Sequence, residues 1–232
     1  MTECATENPQ PPLREVFVGK HSTVWAGLSP LLVGQGLVVQ AIGHADISSF
    51  SFGPLDRIWV LAYSRHAAQN TGLIQALART PARALVLVSS SSAIVAGVTR
   101  CYAYPHLKHQ AEVDALAVPH ATVLTLGMMY ADPAQLPAGA CVATSYRDLA
   151  AFVARPDWPD GAGRRKHLFG VVQRPFPGPL QRRAQQAYGA VLRACGPWPC
   201  LLRPLDLLLR ACGVRWYGYV YLSNKLWTST TL

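Results

Sequence analysis

The sequence predicts an α/β fold, a doubly wound parallel sheet followed by a small, mostly helical C-terminal region. Three observations carry that prediction. Short β-rich runs recur at EVFVGK (15–20), LVVQAIG (37–43), DRIWVLA (56–62) and ALVLVSS (84–90). The first two flank a helix-length segment, the strand–helix–strand spacing of a right-handed crossover between parallel strands. Half of the 232 residues are hydrophobic and only 14% are charged, which excludes a disordered chain and allows one substantial core with at most a small annex. No apolar run approaches the roughly 18 to 20 residues needed to span a bilayer.

Three regions follow from this reading: a disordered leader at 1–13, a sheet domain at 14–154, and a basic, amphipathic C-terminal region at 155–232. The leader is polar and lacks a basic-then-apolar signal pattern, so a cytoplasmic protein is expected. After the first strand, Ser22 or Thr23 caps a helix running to about Val33, and Gly34 or Gly36 ends it. In such a sheet, ligands sit at the carboxyl ends of the strands, beside the turn that follows the first one. Apolar positions Leu73, Ile74, Leu77 and Ala78 recur at helical spacing within 67–80. Then come the strand at 84, a serine-rich loop, a helix at 104–118 that opens with Tyr104 and tolerates Pro105 if that is its first helical residue, the strand of ATVLTLGMMY (121–130), and a helix in SYRDLAAFV (145–153).

The chemistry centres on the helix after the serine loop. Tyr104 and Lys108 are four residues apart and share one helical face. A neighbouring cation favours phenolate, pulling a tyrosine from its usual pKa of about 10 towards the working range of an acid/base catalyst. A serine at the end of the preceding strand can hydrogen-bond the same substrate oxygen.

VSSSSAIVAG (88–97), Tyr104-x-x-x-Lys108 with Glu112 one turn later, and TLGMMYA (125–131) together resemble the Ser–Tyr–Lys site of the short-chain dehydrogenase/reductase superfamily. The resemblance is to its extended branch of NAD-dependent sugar epimerases and dehydratases, whose fold is Rossmann-like. It spans roughly residues 15–153. DRIWVLA is similar to that branch's D-x-V-x-H-L-A segment, Asn70 and Thr71 to its N-x-x-G-T, and SYRDLAAFV to its V-x-D-x-A helix. The short interval between Asp46 and the third strand implies that a helix usual in the family is replaced here by a loop.

The resemblance implies that Tyr104 exchanges the substrate's hydroxyl proton, Lys108 lowers the phenol pKa and holds the nicotinamide ribose, and Ser92, the hydroxyl just before the alanine, orients the substrate oxygen. It implies NAD or NADP as cofactor, held by Gly19, Ser22, Thr23, Val24, His44, Asp46, Leu61, Ala62, Lys108, Gly127 and Met128. In VGKHSTVWAG, Gly19 matches the first glycine of the family's loop, while Ser22 and then Trp25 or Ala26 stand at the other two. Serine offers phosphate an N–H and a hydroxyl at a helix N-terminus, whereas tryptophan would crowd the helix against the sheet. Where NAD-preferring relatives carry an acid, this chain has Gly43 followed by His44, which leans towards NADP or no strong preference. Asp46-Ile47 is similar to a pair that flanks the adenine, and reads equally well as a solvated loop. GKHST lacks the spacing of a P-loop.

Charge divides the chain. Residues 1–154 hold nine Lys/Arg and nine Asp/Glu; residues 155–232 hold twelve and three, so the whole net charge of +9 lies in the last third. That asymmetry points to an anionic partner such as a nucleotide diphosphate or an anionic membrane surface. Nucleic acid is not expected, because no binding module accompanies the charge. Segments 180–195, 201–212 and 216–222 are amphipathic or aromatic. They read as core-capping or homodimer-contact elements, with peripheral membrane contact as the competing reading. The six cysteines form no C-x-x-C, and His106 and His109 lack a third ligand, so no metal is expected.

The leading expectation is an NAD(P)-dependent epimerase, dehydratase or reductase acting on a sugar nucleotide or a similarly anionic small molecule. The alternative is a catalytically degraded cofactor-sensing or scaffold protein, peripheral to a membrane, motivated by the altered glycine loop.

Overall fold

The computed structural model describes residues 13–155, 164–195 and 218–230, with positions 198, 201, 204, 207, 208 and 211 between them. The expected leader, apart from its last residue, lies outside the described residues, as do most of the segment at 201–212 and positions 216 and 217. The strands are β1 (Arg14–Val18), β2 (Val38–Ile42), β3 (Asp56–Val60), β4 (Ala84–Ser90), β5 (Ala121–Leu126), β6 (Met128–Tyr130), β7 (Gly139–Ser145), β8 (Arg165–Leu168) and β9 (Gly170–Arg174). The main sheet runs β2-β1-β3-β4-β5-β8, parallel throughout. A smaller sheet, β6-β7-β9, pairs β6 with β7 in parallel and β7 with β9 antiparallel.

The continuous apolar runs have a simple cause: the central strands are buried on both faces. Val16, Val18, Ile58, Val60, Leu85, Leu87 and Val123 point to one side. There they pack on Leu73, Ile74 and Leu77 of α2 (Ala67–Ala78) and on Ala111 and Ala115 of α3 (Ala103–Leu116). Phe17, Trp59, Val86, Val88 and Leu124 point to the other side, onto Leu28 and Leu32 of α1 (Thr23–Leu32) and Leu149, Phe152 and Val153 of α4 (Tyr146–Val153). Each large side chain fully buried this way contributes about 1.5–3 kcal/mol. Between β2 and β3 the chain makes only a short 3-10 turn, His44–Asp46, and a loop, the compaction expected from the sequence.

Trp25 does not crowd the sheet. Its ring lies against Phe17 with centroids 4.9 Å apart, part of the α1-side core. The close approach in α1 is made instead by Gly27: a Cβ there would lie 2.3 Å from the Tyr146 ring of α4.

At the amino ends of β1 and β3, Glu15 and Arg57 form a buried ion pair at 2.5 Å. Trp59 Nε1 donates to the second Glu15 oxygen at 2.6 Å, and Arg57 donates to the Val153 carbonyl at 2.7 Å, which ties the sheet to the end of α4. Beside them, Arg14 donates to both Asp56 oxygens at 2.7 and 2.6 Å.

The last third adds strands that the sequence reading did not assign. RKHL and GVVQR form strands, and β8 is the outer strand of the main sheet, so residues on both sides of 155 share one sheet. The aromatic run, as far as it is described, opens α6 (Gly218–Thr230), which follows α5 (Pro179–Cys195). Tyr219, Tyr221 and Leu222 pack with Tyr188, Leu192, Val95, Cys101 and Tyr102. Trp227 Nε1 donates to the Ser91 carbonyl at 2.8 Å, and Asn224 Oδ1 accepts from the Val142 amide at 3.0 Å. These residues cap the serine loop. Among the described residues, no helix is long and apolar enough to cross a membrane.

Candidate active site

β1 lies at the point where the sheet order reverses, with β2 on one side and β3 on the other. Ligand crevices open there, outside the carboxyl ends of the strands. Gly19 makes the turn out of β1 at φ +118°, and a Cβ on it would lie 2.8 Å from the Ala62 amide nitrogen, so no side chain is tolerated. Ser22 caps α1, its Oγ accepting from the Trp25 amide at 3.1 Å. The Thr23 and Val24 amides have no hydrogen-bond partner among the described residues, and both residues line a crevice of about 450 Å³. A second cleft of about 420 Å³ shares His44, Ala62 and Tyr63 with it and adds Arg65, His66 and Gln69.

Of the eleven residues expected to hold a cofactor, eight line the first crevice: Gly19, Ser22, Thr23, Val24, His44, Leu61, Ala62 and Lys108. Asp46 does not; its carboxylate pairs with Lys20 at 2.7 Å and accepts the Gly43 amide at 2.9 Å. Those bonds, Lys20 first, hold its pKa below the usual carboxylate range. Gly127 and Met128 line a different cavity, described below.

Helix α3 starts at Ala103, so Tyr104 lies inside it rather than ahead of a helix opened by Pro105. One turn on, Lys108 is buried. Its ammonium stands 4.8 Å from the Tyr63 ring centroid and 5.9 Å from that of Tyr104. Burial pushes its pKa down to about 8, with Glu112 opposing. Glu112 is itself held by Ser89 Oγ at 2.6 Å and Arg165 at 2.8 Å.

The phenol departs from the expectation. Tyr104 is raised above its ordinary pKa, mainly by burial, while a hydrogen bond with Ser90 pulls the other way. The cation lies over the ring faces rather than beside the hydroxyl, so desolvation wins. Ser90, whose hydroxyl pulls on the phenol, has its Oγ 2.9 Å from Ser92 Oγ, and both serines line a cavity with Tyr104.

Beyond Tyr104 lies a cavity of about 160 Å³, bounded by Ser90, Ser91, Ser92, Gly127 and Met128 on one side and by Tyr219, Ser223 and Asn224 of α6 on the other. Gly127 lets β5 run close against β7: a Cβ there would lie 2.7 Å from the Ala143 backbone. Tyr104 lines both this cavity and the large crevice. Sequence reasoning missed Tyr63, Ser90 and the α6 residues. Tyr63 directly follows the DRIWVLA run, and that position at the carboxyl end of a central strand was the available signal. For α6 there was none. Among the described residues, no cluster of three or more His, Cys, Asp or Glu could hold a metal ion.

The crevice fits a dinucleotide: unpaired amides at a helix N-terminus suit a pyrophosphate, and the two joined clefts extend to either side of it. No protein-family model matches the sequence, and no curated protein does. Solved structures do resemble it. A dTDP-4-dehydrorhamnose reductase from Bacillus anthracis, in complex with NADP, is 11% identical over 71% of this chain and 78% of its own, with a TM-score of 0.53. A UDP-N-acetylglucosamine 4-epimerase from Bacillus cereus is 11% identical over 69% and 80%, TM-score 0.52. A short-chain dehydrogenase/reductase superfamily protein from Agrobacterium tumefaciens with bound NAD is 11% identical over 69% and 79%, TM-score 0.52. At such identities the likeness shows the fold, the Rossmann-like doubly wound sheet of those enzymes.

Proposed function

We propose that this chain is an NAD(P)-dependent oxidoreductase or epimerase working at a hydroxyl or carbonyl carbon through Tyr104, Lys108 and the Ser90–Ser92 pair. One observation carries the reading: the Tyr104 phenol stands at the junction of the crevice and the small cavity. Gly19, Ser22 and the Thr23 and Val24 amides would hold the pyrophosphate, and Lys108 and Tyr63 would face the nicotinamide end. The nicotinamide, when bound, gives or takes the hydride. Tyr104 moves the proton at its hydroxyl oxygen, donating when a carbonyl is reduced and accepting when an alcohol is oxidised. Ser90 and Ser92 orient the substrate oxygen. Lys108 supplies positive potential that favours phenolate once a ligand draws the groups together. Two of the neighbours named above carry the names of sugar-nucleotide enzymes, so nucleotide-linked sugars are one substrate class to assay.

Fluorescence titration of the purified chain with NADH and NADPH tests this, and binding of neither would overturn it. A second reading, a protein that binds the cofactor without turnover, is favoured by the raised Tyr104 pKa. Tyr104→Phe separates the two. Turnover falling by about 10²–10⁴ with cofactor affinity unchanged supports the enzyme; no turnover in the wild type supports the sensor.

A further inference from the structure

The two spaces that meet at Tyr104 differ in charge. The crevice is lined by Lys20, His21, His44 and Lys108. The cavity beyond the phenol has no Lys, Arg, His, Asp or Glu among its described lining residues, only serine hydroxyls, the Asn224 carboxamide, the Tyr104 and Tyr219 rings, and apolar groups. At about 160 Å³ it is also smaller than the roughly 300–1,000 Å³ of pockets for drug-sized ligands.

Its far wall is fixed. Asn224 is buried, and its Oδ1 holds the Val142 amide at 3.0 Å. Among the described residues its Nδ2 has only a 3.9 Å contact with Cys141 Sγ, which leaves a donor for a ligand. Ser223 Oγ is buried as well, in a long 3.4 Å contact with Ser91 Oγ. A diphosphate pushed into this space would lose its water and meet no cation among the described residues, a large cost for each charge. A neutral molecule rich in hydroxyl or carbonyl oxygens would find a partner for each of them.

Resting on the reading of this site as nicotinamide-dependent, we infer that the substrate is a small uncharged hydroxy or carbonyl compound, held between the Ser90–Ser92 hydroxyls and Ser223 and Asn224 of α6, and not a nucleotide-linked sugar. In the reducing direction the carbonyl carbon gains a hydride from the reduced nicotinamide, which is oxidised, and the carbonyl oxygen gains the Tyr104 proton. Water then reprotonates the phenolate. The charged species of the reaction is the cofactor, and it keeps to the cationic side of the phenol.

The test uses the full chain with NADPH and NADH. D-glyceraldehyde and dihydroxyacetone are compared with UDP-glucose and dTDP-glucose, by turnover and by saturation-transfer NMR binding. Small neutral compounds should bind and be used at a kcat/KM at least about tenfold above the nucleotide sugars. Ser223→Ala should raise their KM by roughly three- to tenfold, the loss of one hydrogen bond, with cofactor affinity unchanged. Asn224→Asp, which keeps the bond to Val142 and removes the free donor, should do the same. Cofactor binding with nucleotide sugars preferred overturns this inference and leaves the nicotinamide-dependent reading standing. No binding of the small compounds overturns it too. Small compounds bound without any cofactor affinity support the cavity assignment and overturn the nicotinamide-dependent reading instead.

Discussion

The ammonium of Lys108 stands over the ring of Tyr63, 4.8 Å from its centroid, on the crevice side of the phenol proposed to move the proton. Tyr63 thus shares the cation with Tyr104, and the two tyrosine rings stand edge to face with their centroids 5.1 Å apart. A charge kept this way, with little water, is costly to the fold.

That cost gives a pH dependence. Buried Lys108 loses its proton near pH 8 in the native protein, against 10.5 for the free side chain. Between those values the unfolded chain binds more protons than the native one, so stability rises with pH. At pH 7 the penalty is fully present, about 3 kcal/mol. Urea denaturation should therefore show Lys108→Met more stable than the wild type at pH 7, with the gap closing as pH rises from 8 to 10. A gap independent of pH would mean that the ammonium is solvated.

Gly27 and Tyr146 are coupled by contact. Gly27→Ala places a methyl 2.3 Å from the Tyr146 ring and should cost about 1–3 kcal/mol. Tyr146→Ser removes the obstacle, so the double variant should lose far less than the sum of the two single changes. Additive losses in a double-mutant cycle would place the helix contact elsewhere.

The Glu15–Arg57 pair is buried on both sides and has no part in the proposed chemistry. Arg57→Met strands a buried carboxylate and should cost about 3–5 kcal/mol, while Glu15→Met with Arg57→Met should recover part of that, leaving Trp59 Nε1 without its acceptor. Equal stability of the single and double variants would rule out the stranded charge as the cause.

Much of this fold is legible in the chain because the central strands carry their own signal. EVFV, DRIWV and ALVLV are apolar on both faces, and the structure buries both faces. RKHL of β8 carries no such signal. It alternates exposed and half-buried residues at the sheet edge and is a strand only because β5 offers it a partner. GYVYLSNKLWTST is likewise poor helix sequence, held as α6 by its packing on the serine loop. The Tyr104–Lys108 spacing could be read from helical periodicity alone, since both lie in one helix. The residues that α6 brings across the cavity are more than a hundred positions away in the chain, and no local pattern reports them.

The cleft that continues past His44 is lined by Arg65 and His66 and by no carboxylate among the described residues. Asp46, the one acid nearby in sequence, is committed to Lys20 and the Gly43 amide. A ribose 2′-phosphate would therefore meet the Arg65 guanidinium, while a bare 2′-hydroxyl would find no carboxylate among the described residues to accept its proton. NADPH should bind about three- to tenfold tighter than NADH at low salt, as expected for an exposed charge pair, and the difference should shrink as salt screens it. Arg65→Gln should bring the two affinities together without touching Tyr104 or Lys108. Fluorescence titrations of both cofactors at low and high salt measure this directly, and NADH binding as tightly as NADPH at low salt would remove Arg65 and His66 from the ribose site.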